Sequence, residues 1–190
     1  MTTIVAVRKN GVAVIAADTL TTFGNTRLAA AQDASHDKIL HIAGSYIGVC
    51  GSAAHHLVLD SLLANKPEAQ LNSKAGIFET FRKLHPQLKE ECFLNPKEDE
   101  EDPYESSQIT ALIANASGIY AIYSMREVFE YTQYWAIGSG HEYALGAMHH
   151  AYARHERAED IARAGIEAGI AFDKNSAAPV TLYTIALDKP

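Results

Sequence analysis

The chain has 190 residues, 47 % of them hydrophobic, and a formal net charge of -7. That size suits a single domain spanning 1–190 with a substantial buried core. The acidic balance and the absence of a Lys/Arg cluster argue against a nucleic-acid surface, no apolar run reaches membrane-spanning length, and Cys50 and Cys92 do not make a disulfide framework. Without a basic and apolar leader at the N-terminus, the expected location is the cytoplasm, with both thiols reduced.

Thr2 to Arg8 reads as a strand, Asn10-Gly11 as a two-residue hairpin turn, and Val12 to Ala17 as the return strand ending on Asp18. The Thr-rich stretch Thr19 to Thr26, broken by Gly24-Asn25, predicts a short strand and a turn, followed by a small, polar loop from Ala29 to His36. A second hairpin follows, with Lys38–Ile42 and Tyr46–Cys50 as strands around Ala43-Gly44-Ser45, ending on Gly51-Ser52. Helical spacing then predicts one helix over about Ser52 to Ala64 and another through Ile77, Phe81, Leu84 and Leu88, kinked or interrupted at Pro86. Asn95 to Ser107 reads as an exposed acidic loop.

Strands resume at Gln108–Ala114 and Ile119–Ser124, around the turn Asn115 to Gly118, and two shorter ones near Val128–Tyr131 and Tyr134–Ile137 lead to Gly138-Ser139-Gly140. Helices follow from about His141 to Arg154 and from Ala158 to Asp173, and Val180–Leu187 is a last strand. Hairpins predict mostly antiparallel sheets, and helices in pairs, rather than as single crossovers, argue against a doubly wound parallel sheet. Two sheets with helix pairs outside them account for this order.

The residue behind Met1 is a hydroxyl amino acid. Removal of Met1 would leave Thr2 with a free α-amine beside a side-chain nucleophile, and an amine of ordinary pKa about 7.7–8.0 is partly a free base near neutrality. A Thr activated by its own terminal amine is a known nucleophile arrangement. A bland reading stands beside it, because Thr is common after an initiator Met. Cys50 could be a thiol nucleophile, but with no paired His and an apolar strand around it a buried structural Cys fits better. His55-His56 and His149-His150 with His155 show no acidic third ligand at zinc-helix spacing.

Several stretches together carry a resemblance. Thr2-Thr3-Ile4-Val5-Ala6-Val7-Arg8-Lys9-Asn10-Gly11, Val14-Ile15-Ala16-Ala17-Asp18 and Gly24-Asn25-Thr26 resemble the opening of HslV, the bacterial proteasome-type peptidase. Gly48-Val49-Cys50-Gly51-Ser52, Ile137-Gly138-Ser139-Gly140 and Asp173-Lys174-Asn175-Ser176 resemble segments of proteasome β subunits, in the family's order. The resemblance spans nearly the whole chain. It implies an α+β fold, the four-layer αββα sandwich of N-terminal nucleophile hydrolases, with two mostly antiparallel sheets between helix layers. The Lys38 match requires an insertion in the Ala29–Asp37 loop, Asp173-x-x-Ser176 is closer to proteasome β subunits than to HslV, and the Asn95–Ser107 loop is longer than that of HslV. This mixture suggests a divergent bacterial branch of the family, such as the betaproteobacterial proteasome homologue, which leaves HslV's ring size and ATPase partner open for this chain.

The resemblance implies a role for each matched residue. Thr2 is the nucleophile, Asp18 the acidic residue closing the second strand, and Lys38 the lysine that lowers the nucleophile's pKa. Gly51 supplies an oxyanion N–H, and Ser139, Asp173 and Ser176 surround the terminal amine. The Thr22 backbone pairs with an extended substrate, and Thr21, Val49 and Ala53 line the primary specificity pocket, which Val49 and Ala53 would make open and apolar. Each also has an ordinary reading: Asp18 capping a turn, Lys38 on the surface, Gly51 at a helix entry, Ser139 as an N-cap, Asp173 and Ser176 in a helix C-terminal turn. The implied activity is a threonine endopeptidase acting on unfolded proteins or peptides, needing no metal or organic cofactor. The implied assembly is a homo-oligomer of stacked hexameric or heptameric rings, with an AAA+ ATPase unfoldase as a candidate partner. The competing functions are a non-catalytic ring subunit and a small-molecule amidase of the same fold.

Overall fold

The structure is a computed structural model that describes residues 2–64, 66–97 and 99–188. Its first element is the hairpin of β1 (Thr3–Lys9) and β2 (Val12–Asp18), antiparallel with Ile4 opposite Ala17 and Lys9 opposite Val12. Asn10 and Gly11, at φ 50° and 76°, make the left-handed pair that a tight hairpin turn demands. A small ribbon of β3 (Thr21–Phe23) and β4 (Thr26–Leu28) follows. Next come β5 (Ile39–Ile42), β6 (Ser45–Cys50), α1 (Ala53–Ala64) and α2 (Lys74–Glu90). The chain continues as β7 (Thr110–Asn115), β8 (Gly118–Ile122), β9 (Val128–Tyr131) and β10 (Tyr134–Gly138), then α3 (His141–Tyr152), α4 (Ala158–Phe172) and β11 (Val180–Ala186).

Two sheets form from these strands, one in the order β10-β1-β2-β11 and one in the order β5-β6-β7-β8-β9, with every pairing antiparallel. Strand periodicity explains the layering, since alternate residues point to opposite faces. Ile4, Ala6, Ala13, Ile15 and Ala17 of the first sheet meet Leu112, Ala114, Ile119 and Ala121 of the second in one core. Their neighbours Val5, Val7, Val14 and Ala16 face Met148, Ile161 and Ile166 of α3 and α4. On the far side Ile47, Ala111 and Ile113 pack against Leu59, Ile77, Phe81 and Leu84 of α1 and α2. The result is the expected α+β sandwich of four layers. The central strands are covered on both faces, which is why they read as unbroken apolar runs rather than as alternation.

Four details depart from expectation. Helix α2 runs unbroken through Pro86, held on both sides of it by the buried Leu84 and Leu88. Packing of this apolar stripe outweighs the one backbone hydrogen bond that proline removes. The stripe begins with an unanticipated N-cap, Ser73, whose hydroxyl accepts from Gly76 N at 3.1 Å. Helix α3 stops at Tyr152, two residues early, because the following turn delivers the carbonyls of Tyr152 and His155 to Lys9 Nζ at 2.6 and 2.7 Å. The acidic loop is largely exposed, but its end is not: Ser106 and Ser107 are buried, and Ser107 N and Oγ both donate to Ser124 O. None of the helices among the described residues is long and apolar enough to cross a membrane.

Candidate active site

The register of β1 and β2 puts Thr2 and Asp18 at the same end of the first sheet, one strand apart. Asp18 is fully buried and its carboxylate is saturated. Oδ1 accepts from Thr2 Oγ1, from Thr3 N at 3.0 Å and from Lys38 Nζ at 2.9 Å. Oδ2 accepts from Leu20 N at 3.0 Å and Ala177 N at 3.2 Å. One oxygen of Asp18 thus pairs with Lys38 while the other caps the turn at Leu20, as its ordinary reading expects.

Lys38 comes from the other sheet, at the residue preceding β5. Its ammonium donates to Thr2 Oγ1 at 2.8 Å and to the Leu20 carbonyl at 2.6 Å, besides Asp18. Only 15 % of its side chain remains accessible, so Lys38 is not a surface lysine. Burial pushes its pKa below that of a free lysine, and the Asp18 carboxylate, helped distantly by Asp173, recovers part of that loss. An ammonium 2.8 Å from a hydroxyl oxygen favours the alkoxide form of that hydroxyl.

A second cluster lies behind Thr2. Ser139 Oγ donates to Asp173 Oδ2 at 2.6 Å and lies 3.3 Å from the Thr2 carbonyl oxygen. Ser176 Oγ donates to the same Asp173 oxygen at 2.8 Å and touches Thr3 Oγ1 at 2.8 Å. Asn175 donates from N and Nδ2 to Asp173 Oδ1, both at 3.1 Å. Burial raises the Asp173 pKa, but the hydrogen bonds of Ser139, Ser176 and Asn175 outweigh it, and the net shift is downward. The N-cap alternative for Ser139 is not realised, because Gly140 holds the N-cap of α3 without a side-chain bond.

Thr2 and Lys38 open onto a cleft of about 300 Å³, also lined by Thr21, Thr22, Val49, Gly51 and Ala53. Gly51 sits on its wall at φ 117°, a conformation that side chains strain to adopt. The residues assigned by resemblance fall in the cleft or behind it: Asp18 and Ser139 bond Thr2, and Asp173 and Ser176 stand one bond further back, through Ser139 and Thr3. Beside Val49 and Ala53, the cleft is also lined by the polar Asp33, His36, Asp37 and His56. Asp33, His36 and Asp37 escaped the sequence reading because the loop before Lys38 has no periodicity, whereas His56, on α1, enters it only as a candidate metal ligand. Cys50 also differs from expectation: it lines the cleft and is only partly buried, with its thiol pKa pushed up to about 11, first by burial. Met1, whose removal would free the Thr2 amine, lies outside the described residues.

This arrangement can be set beside known proteins. The family described as Proteasome subunit matches residues 1–185. Among solved structures, Thiobacillus denitrificans BPH superposes with a TM-score of 0.93 at 40 % identity, covering 99 % of this chain and 100 % of that one. The structure of Thiobacillus denitrificans BPH in complex with epoxomicin gives 0.92 at 39 % identity, covering 98 % and 100 %. Eukaryotic HslV from Trypanosoma brucei shares the fold at 19 % identity, with a TM-score of 0.68 and coverage of 97 % and 99 %. No curated protein matches the chain by sequence. A buried Thr–Asp–Lys cluster between two antiparallel sheets, the family match over 1–185 and the full-length likeness to BPH lead to one conclusion: this chain belongs to the proteasome subunit family.

Proposed function

We propose that the chain is a threonine-type endopeptidase subunit that acts after Met1 is removed. The observation that carries this reading is the single ammonium of Lys38, placed 2.8 Å from Thr2 Oγ1 and 2.9 Å from Asp18 Oδ1 at the floor of an open cleft. Thr2 Oγ attacks a peptide carbonyl carbon, and the hydroxyl proton passes to the freed Thr2 amine, directly or through a water held by Ser139. Lys38 stabilises the alkoxide, and Asp18 holds Lys38 in its charged form. The Thr methyl restricts χ1 and helps aim the oxygen. Gly51 N–H stabilises the tetrahedral oxyanion, a kind of contact whose loss typically raises a barrier by about 2.7–4 kcal/mol. Collapse expels the amine fragment, which takes the proton from the Thr2 amine, and water then hydrolyses the acyl ester to free Thr2.

Asp173 and Ser176 orient Ser139 and the first turn of chain around Thr2. An extended substrate pairs with the backbone at Thr22, with its side chain among Thr21, Val49 and Ala53. The working form in this reading is a homo-oligomer of stacked rings, hexameric or heptameric, in the cytoplasm, with unfolded proteins or peptides as substrates. An AAA+ ATPase is its proposed feeding partner.

The test is hydrolysis of a fluorogenic peptide by wild type, Thr2→Ala and Lys38→Met. The wild type should turn over and both variants should fall to background. Epoxomicin, bound in the BPH complex, should inhibit the wild type. A Met1-retaining chain should be inactive. Equal turnover by wild type and Thr2→Ala would remove Thr2 from the chemistry.

A further inference from the structure

Lys38 is a long, flexible side chain delivered across the gap between two sheets, and something must set where it starts. β5, which it precedes, is an edge strand that pairs with β6 alone among the described residues. The Lys38 carbonyl accepts from Val49 N at 3.4 Å, a long bond. The residue before it, Asp37, is tied far more firmly. Asp37 Oδ1 accepts from Ile39 N at 3.0 Å, closing a short ring around Lys38, and from Thr181 Oγ1 at 3.0 Å. Its Oδ2 accepts from Tyr183 OH at 2.5 Å.

Thr181 and Tyr183 are two residues apart on β11, so they point to the same face. β11 belongs to the other sheet, and its Val180 is in register with Asp18. The Asp37 carboxylate is thus anchored to the strand beside the one that carries Lys38's own partner. Tyr183 is fixed in turn by stacking on Tyr46 at 4.7 Å, and Tyr46 stacks on His41 of β5 at 4.4 Å. The hydrogen bond to Asp37 and then burial push the Tyr183 pKa up to about 12, so the phenol stays a donor through the working range.

We propose that Asp37, held by Thr181 and Tyr183, is a positioning residue that sets the reach of Lys38 to Thr2. This rests on the peptidase reading given above and adds to it an inter-sheet clamp. Without the clamp the start of β5 is restrained from one side only, and the 2.8 Å Nζ–Oγ1 contact loosens. A misplacement of about 1 Å in such a group costs up to about 10²-fold in rate.

The experiment compares wild type, Asp37→Ala, Asp37→Asn, Tyr183→Phe and Thr181→Val, each assembled as the wild type is. Asp37→Ala should lower kcat for the fluorogenic peptide roughly ten- to hundredfold with KM within about twofold. Tyr183→Phe and Thr181→Val, which keep their shape, should show smaller losses of the same kind. Asp37→Asn keeps an acceptor for Ile39 N and Thr181 and should recover most of the rate. Lys38, freed toward water, should regain a more ordinary pKa, so the alkaline limb of kcat should move to higher pH. Mere loosening of the fold would lower the active fraction without moving that limb.

A second measurement needs no turnover. Acetic anhydride labelling of Lys38, followed by peptide mass spectrometry across pH, should show its midpoint rise in Asp37→Ala and Tyr183→Phe. If the wild type cleaves, Thr2→Ala does not, and these variants match wild type in kcat, pH profile and labelling, the clamp is refuted while the peptidase reading stands. If no peptide is cleaved, the peptidase reading fails and the labelling midpoint alone decides: unchanged, it refutes the clamp; raised, it upholds the positioning of Lys38.

Discussion

Removing the Lys38 ammonium while keeping its stem, as in Lys38→Met, should destabilise the fold in a way a second substitution can relieve. The charge it leaves behind is Asp18, which is 0 % exposed. Breaking a buried pair by removing one partner typically costs about 3–5 kcal/mol, because the other charge remains unpaired in a poorly solvated site. Here the carboxylate keeps three backbone donors, Thr3 N, Leu20 N and Ala177 N, and each hydrogen bond to a charged group offsets part of the penalty. The expected loss is therefore at the low end, about 3 kcal/mol. Asp18→Asn in the same chain removes the stranded charge and should recover at least about 1 kcal/mol, a coupling expected only of residues in contact. Activity should not recover. The assay is urea unfolding followed by Trp135, the chain's one tryptophan, with linear extrapolation. Protein concentration must be equal across wild type, Lys38→Met, Asp18→Asn and the double variant, because any assembly shifts apparent stability. A loss below about 1 kcal/mol for Lys38→Met, or strictly additive losses in the double variant, would refute the account of Asp18 as a buried charge compensated by Lys38.

Other outcomes follow from the same geometry. Peptidase activity should decline on the alkaline side below the free-lysine value of 10.5, because burial lowers the Lys38 pKa and the active ammonium is lost as pH rises through it; a kcat–pH profile checks this. Asp173 has a folded pKa below its ordinary 3.8, so its stabilisation is present above that value and lost as pH falls through the lowered one. Ser176→Ala removes one of the bonds responsible, and should therefore raise the Asp173 pKa in an NMR titration and make acid unfolding begin at higher pH. Gly138→Ala should be severe: at φ 91° a Cβ would press on the Thr2 carbonyl, with Thr2 C at 2.9 Å. Overpacking of this kind costs about 1–3 kcal/mol. Because the clash falls on Thr2 itself, activity should be lost even where circular dichroism reports a folded chain.

The sequence by itself determined the local elements and their order. Asn10-Gly11 specifies a turn because both residues tolerate positive φ, and the apolar runs on either side must pair to bury their backbone groups. Paired amphipathic helices between hairpins leave few ways to cover two antiparallel sheets. Thr2, Asp18, Lys38 and Ser139 could be named in advance only because the stretches that hold them resemble a known family; hairpins and the Gly-Ser-Gly turn alone gave them ordinary roles. Tertiary structure alone decided how these residues meet. Lys38 reaches Thr2 only because two sheets stack face to face, and no local periodicity encodes the offset between sheets. Asp37 looked like part of an irregular loop, and its two partners on β11 lie 144 and 146 residues away. The unbroken run of α2 through Pro86 was likewise decided from outside the helix. A proline's penalty is local, but the burial of Leu84 and Leu88 that overcomes it exists only once the second sheet is in place.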